Sequence, residues 1–374
     1  MMMIPVCTPT ISEAEKKYVL ECLDTNWISS KGRFVEEFEN RFAEYCGCKY
    51  GISTTNGTTA LHLAIASIGI KKGDEVIMPA FTIISTALAV IYCGAKPVFV
   101  DCDPETWNMD VSQIRAKITK NTKAILPVHI YGHPCDMDPI LEIASEYNLS
   151  VIEDAAEVHG AEYKGRKVGG IGDIGCFSFY ANKIITCGEG GMLITDDDAI
   201  AKKAHSLRDL AFPQNGGREY IHDAIGYNYR MTNIQAAIGL AQFEKIDYFV
   251  DQRRKHAFKY MDLLKNIESI QLPVEKIWAK NVYWMFSILI KDTFPISRNE
   301  LMKKLADNGI DSRKFFVPMN KQPVLAKIGI VSEKESYPIS EIISQQGLYL
   351  PSISNLTDKD IEYVCKVIKE IAYS

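Results

Sequence analysis

Lys183 is the residue of this sequence with the clearest potential for chemistry. It lies between the aromatic, strand-like run of residues 177–180 and the glycine-rich turn of residues 188–191. A solvated surface charge is a poor explanation for a lysine in this position. If the site is desolvated, the ε-amine has a lowered pKa and becomes a nucleophile that forms a Schiff base with an aldehyde. The sequence therefore predicts a lysine that binds a carbonyl compound covalently.

Asp154 supplies a carboxylate that complements this lysine. It follows the apolar run of residues 149–152, and the small residues Ala155 and Ala156 come directly after it. An aspartate at the carboxyl end of a buried strand points into the crevice where α/β folds bind ligands. The alternative is a surface acidic pair with Glu153. A Schiff-base lysine and an aspartate for a pyridinium nitrogen are what pyridoxal 5′-phosphate (PLP) requires of a protein, so we predict a PLP site.

A third pattern is typical of phosphate binding. Residues 55–62 follow a predicted strand and open a helix with glycine and small hydroxyl residues. A helix start of this kind exposes backbone N–H groups and the positive end of the helix dipole, which suits a phosphate. Taken alone, the pattern is also consistent with a plain turn capped by threonine. Lys183 and Asp154 favour the phosphate interpretation.

Two other patterns carry no site. Residues 170–175 match the dinucleotide fingerprint G-x-G-x-x-G, but no apolar strand precedes them and a strand-like run follows them, so we predict a loop and no nicotinamide site. The histidines lack the spacing of a metal site, and we predict none. His159, five residues after Asp154, either faces the cofactor or is structural.

Composition narrows the class of protein. The 374 residues carry a net charge of −5 without a long block of one sign, which argues against a nucleic-acid or anionic-membrane surface. The longest apolar stretch, residues 81–95, is too short to span a bilayer and predicts a buried helix. The start of the chain has no secretory signal pattern. The ten scattered cysteines are best explained as buried thiols in a reducing cytoplasm.

The apolar pattern predicts an α/β fold. Seven short β-rich runs alternate with helical patterns, and several are apolar throughout, as strands buried on both faces should be. Strands joined by helices imply a mostly parallel sheet. The predicted strands are residues 50–54, 75–78, 97–101, 124–129, 149–154, 175–180 and 191–195.

The remainder of the chain predicts a first helix and a second domain. A capping box at residues 12–15 opens a helix that runs to Asp24. We place the N-terminal segment and the large domain in residues 1–250, and a small α+β domain in residues 251–374. The elements predicted downstream are a helix at 232–266, strands at 282–290 and 313–317, and helices at 298–308 and 358–372.

The separated motifs resemble one known family. The chain is similar to the DegT/DnrJ/EryC1/StrS sugar aminotransferases, which have the fold type I, aspartate aminotransferase-like architecture. The likeness extends from Ile4 to the final helix and depends on the order and spacing of its motifs. These are residues 27–32 (WISSKG), 56–61 (NGTTAL), 129–132 (HIYG), 153–160 (EDAAEVHG), 178–191 and 226–233 (GYNYRMTN).

The resemblance implies roles toward the cofactor. Lys183 would hold PLP covalently and carry a proton between the cofactor and the sugar carbon, and Asp154 would pair with the pyridine nitrogen. Asn228 would reach the phosphate bound by a neighbouring subunit, which implies a homodimer with shared sites. Many relatives have an aromatic residue at the position of Ile83. The other residues implied to contact the cofactor are Gly57, Thr58, Glu157 and Ser178.

The resemblance also implies a substrate. Residues 27–30, Glu157, His222, Asp223 and residues 312–316 indicate the branch of the family that aminates GDP-4-keto-6-deoxymannose for surface polysaccharide (O-antigen, lipopolysaccharide). Arg230 and Arg313 would meet the diphosphate or the base, although either arginine also fits a plain ion pair with an acidic neighbour. The residues implied to line the sugar-nucleotide pocket are Ser29, Lys31, His222, Arg230, Arg313 and Phe316.

The implied reaction is an amino transfer in two stages. Glutamate donates its amine and leaves as 2-oxoglutarate, and the aminated cofactor then converts a keto sugar to an amino sugar. Three alternatives remain open: a UDP- or dTDP-linked keto sugar as acceptor, the related PLP-dependent 3-dehydratase, and a non-enzymatic regulator. The dehydratase branch has histidine in place of the lysine, and a regulator is expected to lose cofactor residues. Lys183 disfavours both.

Overall fold

The structure, a computed structural model, describes residues 3–212, 220–222, 224–332 and 334–374. Its strands alternate with helices through the first two hundred residues. The strands are β1 (Tyr50–Thr54), β2 (Glu75–Pro79), β3 (Lys96–Val100), β4 (Thr122–Ile125), β5 (Ser150–Asp154), β6 (Glu162–Tyr163), β7 (Arg166–Lys167), β8 (Ile174–Ser178), β9 (Gly191–Thr195), β10 (Ile270–Gln271), β11 (Ala279–Lys280), β12 (Phe286–Ile290), β13 (Arg313–Lys314) and β14 (Gly347–Leu350).

The helices cover the sheet and build most of the C-terminal region. Capping boxes open several of them, as Ser12 and Glu15 do for the first. The helices are α1 (Glu13–Asp24), α2 (Arg33–Tyr45), α3 (Gly57–Ser67), α4 (Ile84–Tyr92), α5 (Ile114–Lys117), α6 (Met137–Tyr147), α7 (Asp198–Arg208), α8 (Asn233–Phe243), α9 (Ile246–Leu264), α10 (Arg298–Asp307), α11 (Pro323–Lys327), α12 (Pro338–Gln346) and α13 (Asp358–Ala372).

The main sheet has seven strands in the order β1-β9-β8-β5-β4-β2-β3. All its pairings between β8 and β3 are parallel, whereas β9 runs antiparallel to both β8 and β1. Both β8 and β9 are buried along their whole length, as the continuous apolar runs predict. The prediction of a mostly parallel seven-stranded sheet is confirmed.

A smaller sheet lies in the C-terminal region. Its four strands are antiparallel in the order β10-β12-β14-β13. The buried apolar side chains form two clusters, one on the main sheet and one that joins the second half of α9, the small sheet and α13. The division of the chain near residue 250 stays a prediction, because α9 contributes to both clusters.

The predicted helix 232–266 is two helices in the structure. The break lies at Glu244 and Lys245, where no proline or glycine marks it in the sequence. Lys245 leaves helical geometry with φ −119° and ψ 14°. Its ammonium donates to Ser12 Oγ at 2.6 Å, so a contact distant in sequence accompanies the break.

In the ranges described, no helix is both long and apolar enough to cross a membrane. The apolar stretch 81–95 instead contains the short helix α4, of which four residues are buried. All ten cysteines lie in the described part of the chain, and each is a free thiol.

Candidate active site

The candidate site lies at the carboxyl edge of the main sheet. Asp154 is the last residue of β5, Ser178 is the last residue of β8, and α3 begins at Gly57, three residues after β1. Because β5 and β8 are parallel neighbours and β1 has the same direction, these ends meet at one edge. A cavity of about 510 Å³ opens there. Its lining includes Gly57, Thr58, Asp154, Glu157, Ser178 and Lys183.

Asp154 is a buried carboxylate at the floor of this cavity. It is 3% exposed, and the hydroxyl of Thr86 donates to Oδ2 at 2.8 Å. The backbone N–H of Ala156 donates to Oδ1 at 3.2 Å. Burial raises the pKa of Asp154, while these hydrogen bonds and the charge of Lys183 oppose that shift. A positive charge nearby therefore stabilises the ionised carboxylate.

Lys183 brings its amine into the same cavity. Its side chain is 10% exposed, and Nζ lies 3.7 Å from Glu157 Oε1. Nζ also lies 3.7 Å from the ring centroid of Trp284. Burial lowers the pKa of Lys183, and the charges of Glu157 and Asp154 partly offset the shift. A lowered pKa increases the fraction of neutral amine, which is the nucleophilic form.

Glu157 is the nearest acidic neighbour of the lysine amine. Its Oε2 accepts the backbone N–H of Tyr131 at 2.8 Å, and the side chain is almost completely buried. Burial raises the pKa of Glu157 to about 7. Burial thus favours the neutral form of both Glu157 and Lys183.

The start of α3 forms an open cradle beside Ser178. Asn56 caps the helix by accepting the N–H of Thr59 at 2.9 Å. The N–H groups of Gly57 and Thr58 have no acceptor among the described residues. A Cβ on Gly57 would lie 2.7 Å from Ser178 Cβ, so only glycine allows the helix to approach the serine this closely. Free N–H groups at a helix start next to a hydroxyl fit a phosphate.

The glycine-rich loop 169–172 binds a carboxylate of the chain itself. Gly169, Ile171 and Gly172 donate their N–H groups to the buried side chain of Glu153 at 2.8, 2.7 and 2.7 Å. These N–H groups therefore hold a buried carboxylate, in a segment that the sequence predicts as a loop and that is a loop up to Asp173, before β8 begins. Glu153 lies under the loop, while its neighbour Asp154 faces the cavity, so the two are not a surface pair.

The histidines do not contribute to the cavity. His159 is fully buried and packs against Phe42, Phe177 and Phe179. Burial lowers the pKa of His159 to about 3. Of its two interpretations, the structural one applies. Within the described ranges, no group of three or more potential metal-ligating side chains is present.

The predicted substrate residues are divided by the structure. Arg313 and Phe316 line the cavity that contains Lys183, and Lys31 lines a separate cavity of about 670 Å³ beside Trp27. The remaining predicted residues line neither of these two cavities. They are the predicted substrate residues Ser29, His222 and Arg230, and also Asn228, which is predicted to contact the cofactor phosphate of the neighbouring subunit.

These remaining residues lie in exposed or half-buried loops. Arg230 forms an ion pair with Asp209, and Asn228 is exposed and pairs its backbone with Asp209. His222 Nδ1 contacts the Leu210 carbonyl oxygen at 2.8 Å. For Arg230 the ion-pair alternative thus holds within this chain. Asp223 lies outside the described residues.

The loop of residues 27–32 is held by a side chain that sequence reasoning missed. Asn233 Nδ2 donates to the Trp27 carbonyl at 2.7 Å, and its backbone N–H donates to the Ser29 carbonyl at 2.6 Å. Its Oδ1 accepts the N–H of Phe34. Asn233 ends one of the motifs quoted above, but its amide contacts are visible only in the fold.

Several residues in or beside the cavity are not predicted as site residues from the sequence. Thr86 does not line the cavity but donates to Asp154, and it is one of three small hydroxyl residues, with Thr82 and Ser85, in the apolar stretch 81–95. The sequence gives no signal for Trp284, Tyr180 and Tyr349, which line the cavity. They lie in strand-like or aromatic runs that are typical of a hydrophobic core. Ile83 does line the cavity and is 47% exposed there.

The comparisons with known proteins agree with this geometry. Residues 9–369 match the model of the DegT/DnrJ/EryC1/StrS aminotransferase family. The chain is 46% identical to the GDP-perosamine synthase of Caulobacter vibrioides over 98% of each chain, and 47% identical to that of Escherichia coli O157:H7 over 99% of each. The solved E. coli GDP-4-keto-6-deoxy-D-mannose-3-dehydratase with bound hydrated PLP has a TM-score of 0.92 and 27% identity, over 98% of this chain and all of that one.

The fold and the edge-of-sheet site define a fold type I enzyme, the architecture that the sequence predicts. Family members and structural neighbours are PLP-dependent. The chain belongs to the DegT/DnrJ/EryC1/StrS aminotransferase family.

Proposed function

We propose that this chain transfers the amino group of glutamate to C4 of GDP-4-keto-6-deoxymannose, with PLP as cofactor and GDP-perosamine as product. The observation that carries the proposal is the cavity in which Lys183, Asp154, Ser178 and the start of α3 converge. The two GDP-perosamine synthases similar to the chain over nearly its whole length support the choice of substrate.

The residues of the cavity fit PLP group by group. Lys183 would hold the cofactor covalently, and Asp154 would hold a proton on its ring nitrogen. Gly57, Thr58 and Ser178 would bind the phosphate through the free helix N–H groups and the serine hydroxyl. When bound, PLP supplies an electron sink that stabilises negative charge on the substrate carbon.

Lys183 is also the proton carrier in this proposal. Its buried amine, with a lowered pKa, accepts a proton from the amino-acid carbon in the first stage. It returns a proton to the sugar carbon in the second. Burial of the amine keeps water from competing for that proton.

We also propose that the working enzyme is a homodimer with shared sites. The cavity of one chain has an open mouth, where Ile83 and Tyr180 are 47% and 48% exposed. Three further apolar side chains, those of Tyr220, Ile221 and Ile225, are 82%, 69% and 88% exposed. A second copy of the chain would cover such surfaces and bring Asn228, His222 and Arg230 to the neighbouring cavity.

Asn228→Ala is expected to weaken cofactor retention while the dimer persists. The amide is exposed in the isolated chain and would contact the phosphate bound by the partner, so its loss should raise the dissociation constant of PLP by roughly tenfold. Light scattering measures the assembly, and dialysis followed by absorbance measures retention. A fully active monomer would contradict both the dimer and the shared site.

The nucleotide preference follows from the exposed polar groups of the cavity. Arg313 lines the mouth together with Phe316, and a guanidinium suits a diphosphate or a guanine edge. We expect a preference of at least about tenfold for GDP-4-keto-6-deoxymannose over UDP- or dTDP-linked keto sugars, because one polar contact to the base is worth 1.4 kcal/mol or more.

A panel of the three keto sugars with glutamate, read by mass spectrometry, measures that preference. Arg313→Lys, which keeps the charge and loses the fork-shaped donor, is the matched variant. Amination of a UDP or dTDP sugar with the GDP sugar untouched would retain the family and exclude perosamine. Loss of oxygen from C3 without gain of an amine would favour the dehydratase.

We place the reaction in the cytoplasm. All ten cysteines are free thiols, and eight of them are buried. Reduced thiols of this kind are typical of a reducing compartment.

A further inference from the structure

Trp284 contacts the amine on which the proposed chemistry depends. Its ring centroid lies 3.7 Å from Lys183 Nζ. Glu157, the other close neighbour of this amine, comes from a distant part of the sequence. We propose that Trp284 is a positioning residue of the amino transfer, which holds the Lys183 nitrogen and stabilises its protonated form. The inference rests on the proposed role of Lys183 as the cofactor-binding residue.

Trp284 is fixed through its indole N–H and through its backbone carbonyl. Its Nε1–H donates to the carbonyl of Asn182, the residue before the lysine, at 2.8 Å. The Trp284 carbonyl accepts the guanidinium of Arg253 at 2.6 Å, and the same guanidinium nitrogen donates to the Ser352 carbonyl at 2.6 Å. Trp284 and Arg253 are 3% and 4% exposed. Turning the ring away would leave the buried indole N–H without its acceptor, which is costly.

One turn places both partners of the lysine amine. Tyr131 donates its N–H to Glu157 at 2.8 Å. A Cβ on the next residue, Gly132, would lie 2.7 Å from the backbone nitrogen of Trp284. Tyr283, just before the tryptophan, has a left-handed φ of 46°. The close approach of Gly132 to this segment, together with the strained backbone of Tyr283, indicates a backbone shaped to place the indole.

Four titratable side chains act on Lys183 in addition to the neutral indole. They are Glu157, Asp154, Cys7 and His159. The carboxylates raise the pKa of the lysine, and burial lowers it. The indole face attracts a cation and does not titrate itself. Replacing the indole should therefore lower the pKa of the Lys183 nitrogen without removing any titratable group.

The test is a pH titration of the visible absorbance of the PLP-loaded enzyme. Trp284→Leu should move the midpoint down by about 0.5 to 1 pH unit, and Trp284→Phe, which keeps an aromatic face, by less.

Both variants lose the N–H that fixes Asn182, so the single-turnover rate with glutamate should fall about tenfold, with the KM for glutamate unchanged within about twofold. Trp107→Phe is the control, because Trp107 is equally buried and does not line the cavity.

A midpoint within about 0.2 pH unit of the parent in Trp284→Leu would overturn the inference, whatever happens to the rate. If that variant does not fold, Trp284→Met, which also removes the aromatic face, decides: a downward shift supports the inference and an unmoved midpoint overturns it. A shift of equal size in Trp107→Phe would assign the effect to general packing and also overturn it. A parent enzyme without a visible band would refute the proposed function itself.

Discussion

Lys183→Ala is expected to lose the visible absorbance of bound PLP and essentially all turnover. The amine is buried beside Glu157 and Trp284, and the one other lysine among the described lining residues, Lys314, is exposed. Loss of the proton carrier alone should cost about 10² to 10⁴-fold, and loss of the covalent attachment adds to that. Steady-state assays and absorbance spectra of the purified variant measure both effects.

Lys167→Ala is the matched control for this substitution. Lys167 is also a partly buried lysine with an acidic partner, Glu162 at 2.9 Å, but it lies outside the cavity. The control should retain the spectrum and the rate of the parent. Near-normal turnover in Lys183→Ala would mean that the lysine is structural and that the cofactor assignment fails.

Asp154→Asn is expected to fold and to lose at least about 10²-fold in activity, the size of a missing catalytic group. Asparagine has nearly the same shape and can still accept the Thr86 hydroxyl seen at 2.8 Å. A neutral amide, however, cannot hold a proton on the cofactor ring nitrogen by charge. Single-turnover rates with glutamate and the melting temperature separate the loss of chemistry from a loss of stability.

Asp173→Asn provides the comparison for Asp154→Asn. Asp173 accepts the N–H of Val151 at 2.7 Å, at the opposite end of the strand that Asp154 terminates. The Asp173→Asn variant should lose little activity, because Asp173 lies far from the carboxyl edge of the sheet. If Asp154→Asn binds PLP and turns over within about threefold of the parent, Asp154 does not act on the cofactor.

The architecture could be predicted because its signals are local. The buried runs at 50–54 and 191–195 are strands with those same bounds, and the final helix, with Asp358 after its capping threonine, has the predicted limits. The sequence predicts that β4 extends to His129, but the strand ends at Ile125, and the rest of the apolar run is irregular chain. The strand β14 was missed, since four residues beside a helix give little periodicity.

The site was predictable only in part, for a physical reason. Lys183, Asp154 and Gly57 occupy turns and strand ends, where a reactive or flexible residue conflicts with local packing and can be noticed. Trp284 and Tyr131 reach the site through contacts between segments that are distant in sequence, and nothing in their local pattern differs from a core residue. The same is true of Asn233, whose amide holds a loop two hundred positions away.

The antiparallel strand β9 has a consequence for the order in which the chain folds. β1 lies at the edge of the sheet and pairs with β9 alone, in a register that joins Tyr50 to Thr195. A ribosome must therefore release on the order of 140 further residues after β1 before that strand gains its partner, and contacts of such long range form late. In the finished sheet Gly57 lies against Ser178, and β9 is the strand between β1 and β8. A nascent chain that stops before β9 contains both Gly57 and Ser178 but lacks the strand that joins β1 to the rest of the sheet.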